Sequence, residues 1–284
     1  MPPSCVRELC LQILSSGDLA SKLVSPLTSG PGGGPLPDTD PGPARVIERP
    51  ARAPELELCE GIERLPRPTA LRDARARAAC LRRFAHHELM AVELFAWALL
   101  AWPDAAPALR QGWCRALADE QRHCRMYLAR LAAHGEALGD EPLSGYFWKH
   151  VAGIRAHPRC PAAFLAAIGL TLEQANLDFT LVYADAFRRA GDEASAHVAE
   201  IVHVDEQQHV RMAAEWLAQL SPPGESEVDA YRAAVPFPFD AARAKGRQFS
   251  ASARRAAGLS EALIEHVRAA RPEQSERTRR AEPA

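Results

Sequence analysis

The chain contains the five-residue pattern Asp-Glu-Gln-x-His twice, and this repeat constrains the fold more than any other feature. The first copy runs from Asp119 to His123 and the second, 86 residues later, from Asp205 to His209. Each copy lies in an apolar stretch with helical periodicity, where buried charges are costly. A glutamate and a histidine three residues apart share one face of a helix. The repeat therefore predicts two helices that each direct a carboxylate and an imidazole toward a buried point.

Composition and periodicity together predict an all-α protein. Hydrophobic residues make up 47% of the chain and aromatic residues only 6%, and the abundance of Ala, Leu and Arg is typical of packed helices. Apolar residues at steps of three and four predict four long helices over about 70–101, 104–134, 161–190 and 192–219. Two tight turns and one long crossover join these helices. We therefore expect two antiparallel hairpins that form a four-helix bundle of the ferritin-like kind.

The bundle is expected to be the middle of three segments. Residues 1–66 predict a short N-terminal helix and a Pro/Gly-rich linker that is extended or wraps the surface. Residues 67–220 are predicted to form the bundle, and residues 221–284 are predicted to form a loop and a helical appendage. A basic turn in the last segment, Ala242 to Arg247, is interpreted as a surface turn, with an anion clamp as the alternative.

Cysteine usage and hydropathy indicate a cytoplasmic protein without a membrane partner. The seven cysteines are scattered and form no Cys-x-x-Cys pair, which fits a reducing compartment. The first residues lack a basic leader followed by an uninterrupted apolar run, so we expect no secretion signal. The longest apolar runs are about half of the roughly 20 residues that cross a bilayer.

The positions of the turns show which possible ligands can lie side by side. Two residues at the same height on antiparallel helices, here called level, are equally far in sequence from the turn that joins the helices. Three Glu-x-x-His pairs begin at Glu120, Glu200 and Glu206. Glu120 is level with Glu88 across the first turn, and Glu206 is level with Glu173 across the second. At 1.5 Å per residue, Glu200 is out of level with Glu173 by about 13 Å, so its pair is set aside.

Glu93 competes with Glu88 as the ligand from the first helix. The sequence position midway between Glu93 and Glu120 also falls in the first turn, so Glu93 could lie level with Glu120. The paired carboxylates are 32 residues apart in the first hairpin and 33 in the second. Aligning the hairpins on these separations favours Glu88 and superposes Glu93 on Asp178. We interpret Glu93 and Asp178 as surface or interhelix polar residues, while Glu93 stays open as the alternative ligand.

The resulting set combines four carboxylates with two imidazoles on apolar helix faces: Glu88, Glu120, His123, Glu173, Glu206 and His209. Carboxylates that converge in an apolar interior lose hydration and repel one another, and a cationic centre relieves both costs. This donor set suits two iron ions, with Mn/Fe or Mn/Mn as alternatives, better than zinc.

The ligand set resembles the di-metal carboxylate signature of the ferritin-like superfamily, over about residues 70–219. Asp119 to His123 also resembles the Asp-Glu-x-Arg-His motif of di-iron monooxygenases and ribonucleotide reductases. That resemblance implies that Asp119 and Asp205 each orient a ligand histidine on the opposite hairpin. The whole chain, including HHELMAVELFAWALL and the tail, is similar to an uncharacterised bacterial family of ferritin-like proteins.

Several neighbouring side chains are candidates for supporting roles. Tyr127 follows His123 by one turn and is a candidate pocket residue or redox-active catalytic residue. His203 shares a face with the second Glu-x-x-His pair and is expected to support the ligands rather than bind metal. Asn176 and Thr180 follow the third glutamate on its own face and are candidates to hydrogen-bond oxygen or substrate, with simple packing as the alternative.

These features favour an oxidoreductase that activates O₂ or peroxide to oxidise or hydroxylate an unknown small organic substrate. A ferritin-like iron storage or detoxification protein, a tRNA-modifying hydroxylase-like enzyme and a metal-free scaffold are the alternatives. Nucleic acid is disfavoured as a partner, because no aromatic residues interleave with the arginines as a base-stacking platform requires. A monomer or small homo-oligomer is expected.

Overall fold

The computed structural model describes residues 2–61 and 64–271, which are predominantly helical, so the all-α prediction is confirmed. The end of the predicted tail, residues 272–284, lies outside the described residues, as do residues 1, 62 and 63 of the predicted N-terminal segment. The α-helices of the described part are α1 Val6–Ser15, α2 Leu19–Lys22, α3 Ala74–Ala101, α4 Pro107–Ala133, α5 Val151–Ala156, α6 Ala162–Phe164, α7 Gln174–Arg189, α8 Glu193–Leu220, α9 Glu227–Ala234, α10 Ala251–Ala256 and α11 Glu261–Ala269.

The first predicted hairpin is formed by α3 and α4, and both helices begin at recognisable signals. The Asp73 side chain accepts a hydrogen bond from the Arg75 backbone N–H at 3.1 Å and caps the start of α3. Pro107 occupies the first position of α4, where its missing N–H costs nothing. The turn between them therefore falls where the sequence predicts it.

Helix α3 is the one helix in the described part of the chain that is long and apolar enough to cross a membrane by length and composition. Of its most apolar window, 78% is buried inside the protein. Its residues Leu89, Phe95 and Trp97 are almost completely buried. These features are those of a core helix.

The third predicted helix is not a continuous α-helix. Its residues form α6, then a π-helix over Leu165–Glu173, then α7. A π-helix widens the backbone spiral and is frequent at functional sites. Within it, the Thr171 hydroxyl donates to the Ala166 carbonyl at 2.7 Å. The π-helix ends at Glu173, one of the predicted ligands.

Gly169 of the π-helix lets the backbone approach α8 closely, because an added Cβ would overlap the Cβ of Ala213. We expect Gly169→Ala to destabilise the protein by about 1–3 kcal/mol, since this overlap outweighs the better helix propensity of alanine. Urea unfolding measures the change. The double variant Gly169→Ala/Ala213→Gly removes the overlap and should recover most of the loss, and no recovery would contradict the steric explanation.

The described chain divides into two compact units, each built from two stretches of sequence. The first unit consists of the described residues within Met1–Ala152 and Leu181–Asp205, and the second of those within Gly153–Thr180 and Glu206–Ala284. Helices α7 and α8 are therefore each divided, with one part in the first unit and the other part in the second.

In the first unit, the Pro/Gly-rich segment follows the surface of the first hairpin. Arg110 of α4 donates two hydrogen bonds to Asp38, at 2.7 and 2.8 Å. Helix α1 packs on α3. The strands β1 Leu58–Cys59 and β2 Leu143–Ser144 pair in parallel and join this segment to the crossover.

In the second unit, the C-terminal segment packs against the π-helix and against α8, where Arg211 donates to the Ala256 carbonyl. The Thr171 and Tyr231 hydroxyl groups lie 2.8 Å apart. Arg159 donates two hydrogen bonds to Glu225, at 2.8 and 3.0 Å. Helix α11 lies in the predicted helical appendage and buries Leu263, Ile264 and Val267, and α9 and α10 lie in the part of the same segment that precedes it.

Candidate metal sites

The first copy of the repeat, on α4, forms a buried triad with Glu88 of α3. Glu88, Glu120 and His123 are 6%, 1% and 0% exposed. The His123 Nδ1 atom lies 3.7 Å from a carboxylate oxygen of Glu88 and 3.7 Å from one of Glu120. These separations exceed a hydrogen bond. They suit ligands that share one ion at metal–ligand distances of about 2.0–2.2 Å.

The arrangement follows from helix geometry and from the apolar neighbours of each carboxylate. Glu120 and His123 lie three residues apart on the face of α4 that meets α3. Phe84 and Val92, on either side of Glu88 in α3, are buried. The apolar packing that forms the hairpin therefore also holds the two carboxylates together.

Burial makes this triad electrostatically costly without a cation. Desolvation, and then the nearby Glu120 carboxylate, raise the pKa of Glu88 well above its usual value. Burial opposes the charged form of His123, but the hydrogen-bonded carboxylate of Asp205 and the nearby carboxylates of Glu120 and Glu88 hold the pKa of His123 well above its usual value. The raised pKa values of Glu88 and His123 mean that this site favours bound protons, which supply positive charge. A metal cation can replace those protons.

Asp205 of α8 lies against the other nitrogen of the same imidazole. His123 Nε2 is 3.0 Å from Asp205 Oδ2, and Arg122 donates to Asp205 at 2.7 Å and to Asp119 at 2.9 Å. Burial opposes ionisation of Asp205, but its hydrogen bonds from His123 and Arg122 keep its pKa below the usual value. An ionised carboxylate only accepts, so Nε2 carries the proton and Nδ1 faces the two glutamates.

Asp205→Asn is expected to weaken metal binding at this triad by about 10–100-fold, because the amide no longer fixes the imidazole as a carboxylate does. Equilibrium dialysis against Mn²⁺ or anaerobic Fe²⁺ measures the change. Glu200→Gln is the matched control on the same helix, since Glu200 pairs with Arg188 in an exposed ion pair. Equal metal binding by Asp205→Asn and the wild-type chain would show that Asp205 does not orient the ligand.

The second copy of the repeat, on α8, forms a corresponding triad with Glu173 at the end of the π-helix. Glu173, Glu206 and His209 are 5%, 1% and 4% exposed. The His209 Nδ1 atom lies 3.9 Å from Glu173 Oε1 and 3.8 Å from Glu206 Oε2. The amide of Asn176 donates to Glu206 Oε1 at 2.7 Å. The two triads thus share one composition and nearly the same internal distances.

The other predicted site residues have varied surroundings. Tyr127 is buried, with its ring centroid 5.2 Å from that of Phe84. The Thr180 hydroxyl donates to the Asn176 carbonyl at 2.6 Å, as in ordinary helix packing. His203 is half-buried. Asp119 pairs with Arg122, and its predicted role at a histidine stays a prediction.

The sequence interpretation missed what surrounds Glu93 and Asp178. Both are buried, at 0% and 1% exposure, and both bind cations from chain segments outside the hairpins. The basic turn also binds groups of the chain itself, since Lys245 donates to the Ala270 carbonyl at 2.8 Å and the Gly246 N–H donates to Asp178 at 2.9 Å. The only sequence signal for these contacts is a charged residue inside an apolar helix.

The fold and the two triads define an all-α protein with two buried carboxylate–histidine clusters. The chain belongs to the family described as protein of unknown function (DUF455), which matches residues 19–265. That range includes all six predicted ligands, and the prediction of an uncharacterised family is confirmed. No curated protein and no solved structure matches the chain.

Proposed function

We propose that this protein is a ferritin-like di-metal carboxylate oxidoreductase that activates O₂ or peroxide to oxidise or hydroxylate a small organic substrate. The observation that carries the proposal is the pair of buried triads, each with two glutamates and one histidine, at corresponding positions of the sequence repeat. One ion in each triad accounts for the donor set, and iron fits it best, with Mn/Fe or Mn/Mn as alternatives.

The chemistry of the residues fits such ions. Four glutamates with at most 6% exposure pay a large desolvation cost, which a divalent or trivalent cation offsets. Carboxylate oxygen with some imidazole nitrogen and no thiolate is the donor set of iron and manganese rather than of structural zinc. When bound, the ions supply Lewis-acid and redox chemistry.

The chain itself contributes positioning and exclusion of water. Asp205 fixes the imidazole of His123, and Asn176 holds one oxygen of Glu206, so that each triad keeps a defined geometry. Phe84 precedes Glu88 by one helical turn and Tyr127 follows His123 by one turn, and their buried rings pack at a tilted angle with centroids 5.2 Å apart. Apolar packing next to a site limits solvent access and strengthens the electrostatic interactions within it.

The amount of chain outside the four predicted bundle helices favours an enzyme over a storage protein. The N-terminal segment, the crossover and the C-terminal helices are all packed into the two units. A storage bundle needs little beyond its four helices, whereas an enzyme requires a substrate pocket and its cover.

The test is to purify the full chain, load it with Fe²⁺ without oxygen, and measure iron per chain before and after exposure to O₂. We expect two ions per chain, a ferric absorption band on oxidation, and a monomer or small oligomer by size exclusion. A closed cage that accumulates mineral would instead support iron storage. A chain that binds no iron or manganese would overturn the proposal.

A further inference from the structure

Two buried acid–base clusters lie at equivalent positions of the sequence repeat. Glu93 follows Glu88 by five residues, and Asp178 follows Glu173 by five residues. Each carboxylate receives an arginine from a chain segment outside the two hairpins. Neither cluster belongs to a predicted triad.

The first cluster fixes the N-terminal segment and the crossover to α3. Arg52 holds Glu93 with two contacts, Nε to Oε1 at 2.8 Å and Nη2 to Oε2 at 2.9 Å. Lys22 Nζ lies 3.0 Å from Glu93 Oε1 and also donates to the Ile13 carbonyl at 2.6 Å. The Trp148 indole N–H donates to Glu93 Oε2 at 2.9 Å.

The same cluster reaches the metal-binding face of α4 through the glutamine of the repeated motif. Gln121, which directly follows the predicted ligand Glu120, is fully buried. Its amide donates to the Lys22 carbonyl at 2.9 Å and to the Val24 carbonyl at 2.7 Å. The cluster is therefore tied to both helices that carry the first triad.

The second cluster fixes the C-terminal segment to α7. Arg254 holds Asp178 with two contacts, at 2.8 and 3.0 Å, and its side chain is fully buried. The backbone N–H groups of Gly246 and Ser250 donate to the same carboxylate at 2.9 and 2.7 Å. Arg254 also donates to the carbonyl of Gln174, the residue after the predicted ligand Glu173, at 3.4 Å.

The geometry of these contacts favours positioning over mere stabilisation. Arg254 holds Asp178 through two hydrogen bonds, and Arg52 holds Glu93 through one hydrogen bond and one ion contact. Two contacts between one guanidinium and one carboxylate fix orientation as well as distance. A buried ion pair adds little net stability, because desolvation of both charges offsets their attraction. Each cluster also touches a residue that is the immediate neighbour of a predicted ligand.

We propose that Arg52 and Arg254 are positioning residues, each serving one metal-binding triad. Arg52 holds Glu93 on α3, the helix that carries Glu88, and its neighbour in the cluster, Lys22, accepts a hydrogen bond from Gln121 beside Glu120. Arg254 holds Asp178 and the Gln174 carbonyl on α7, directly after Glu173. Each arginine therefore sets the affinity of one metal ion and not of the other. This inference rests on the proposed function.

The experiment is an anaerobic titration of the full chain with Fe²⁺, repeated with Mn²⁺, fitted to two binding steps. His123→Ala and His209→Ala identify the step that belongs to each triad. Arg52→Lys and Arg254→Lys keep the positive charge but lose the two-pronged contact. We expect Arg52→Lys to weaken the first triad's step about tenfold, and Arg254→Lys to weaken the second triad's step by a similar factor.

Matched controls separate positioning from a general loss of stability. Arg110→Lys and Arg159→Lys alter two-pronged arginine–carboxylate pairs elsewhere in the first and second units, and both should leave the two steps unchanged. Glu93→Gln and Asp178→Asn provide a second pair of variants, expected to show the same selectivity if a lysine variant folds poorly. Circular dichroism confirms that each titrated variant is folded.

A failure of the arginine assignment and a failure of the proposed function give different results in this titration. If both arginine variants weaken the same step, weaken both steps equally, or change neither, the assignment of one arginine to each triad is wrong. If the wild-type chain binds no metal, the proposed function itself is wrong.

Discussion

Glu120→Ala is expected to remove at least one metal ion from each chain and to abolish the ferric absorption band. Glu120 is 1% exposed and lies beside Glu88 and His123 in the first triad. Alanine leaves only two of the three donors, so we expect the affinity of that site to fall by at least about 100-fold, more than for loss of a supporting residue. Metal analysis after dialysis and the absorption spectrum measure both effects.

Loss of metal in this variant should not reflect unfolding. In the wild-type chain, burial and the adjacent Glu120 carboxylate raise the pKa of Glu88, so removing that carboxylate relieves a repulsion in the metal-free protein. The control is Glu200→Ala, which alters the Glu-x-x-His pair that is not level with Glu173. The Glu200 side chain is exposed and pairs with Arg188. A full complement of iron in Glu120→Ala would exclude Glu120 as a ligand.

Arg254→Met is expected to lower the free energy of unfolding by about 3–5 kcal/mol, the cost of leaving a buried charge without its partner. Asp178 is 1% exposed and would retain the N–H groups of Gly246 and Ser250, which compensate its charge only in part. Urea unfolding followed by circular dichroism gives the free energy.

The double variant Asp178→Leu/Arg254→Met removes both charges and provides the control. Because a buried ion pair can be replaced by apolar residues with little net cost, the double variant should recover most of the stability. A single Arg254→Met variant that loses less than about 1 kcal/mol would show that the Asp178 charge is compensated elsewhere.

The position of each triad could be predicted because it depends on helix periodicity and distance from a turn. Glu88 and Glu120 are 32 residues apart around a Pro-containing turn, and regular α-helices on both sides keep them level. The same reasoning left Glu93 open as a ligand. Its partners Arg52 and Lys22 come from a segment without periodicity, so no sequence spacing could identify them.

The π-helix could not be predicted for a different reason. LAAIGLTLE has the apolar composition of any buried α-helix, and the change of hydrogen-bonding pattern leaves no periodic signal in nine residues. Its close approach to α8 depends on Gly169 meeting Ala213, a tertiary match between residues 44 positions apart. Packing of this kind becomes visible only when both helices are in place.

The discontinuous first unit has a consequence for synthesis on the ribosome. Its first stretch ends at Ala152, but its remaining residues, Leu181–Asp205, emerge only after the intervening part of the second unit. Until then a nascent chain holds Glu88, Glu120 and His123 without the Asp205 carboxylate that fixes the imidazole. The support of the His123 imidazole is therefore completed late in translation, and on the proposed function the first triad reaches its full metal affinity only after the second copy of the repeated motif has begun to emerge.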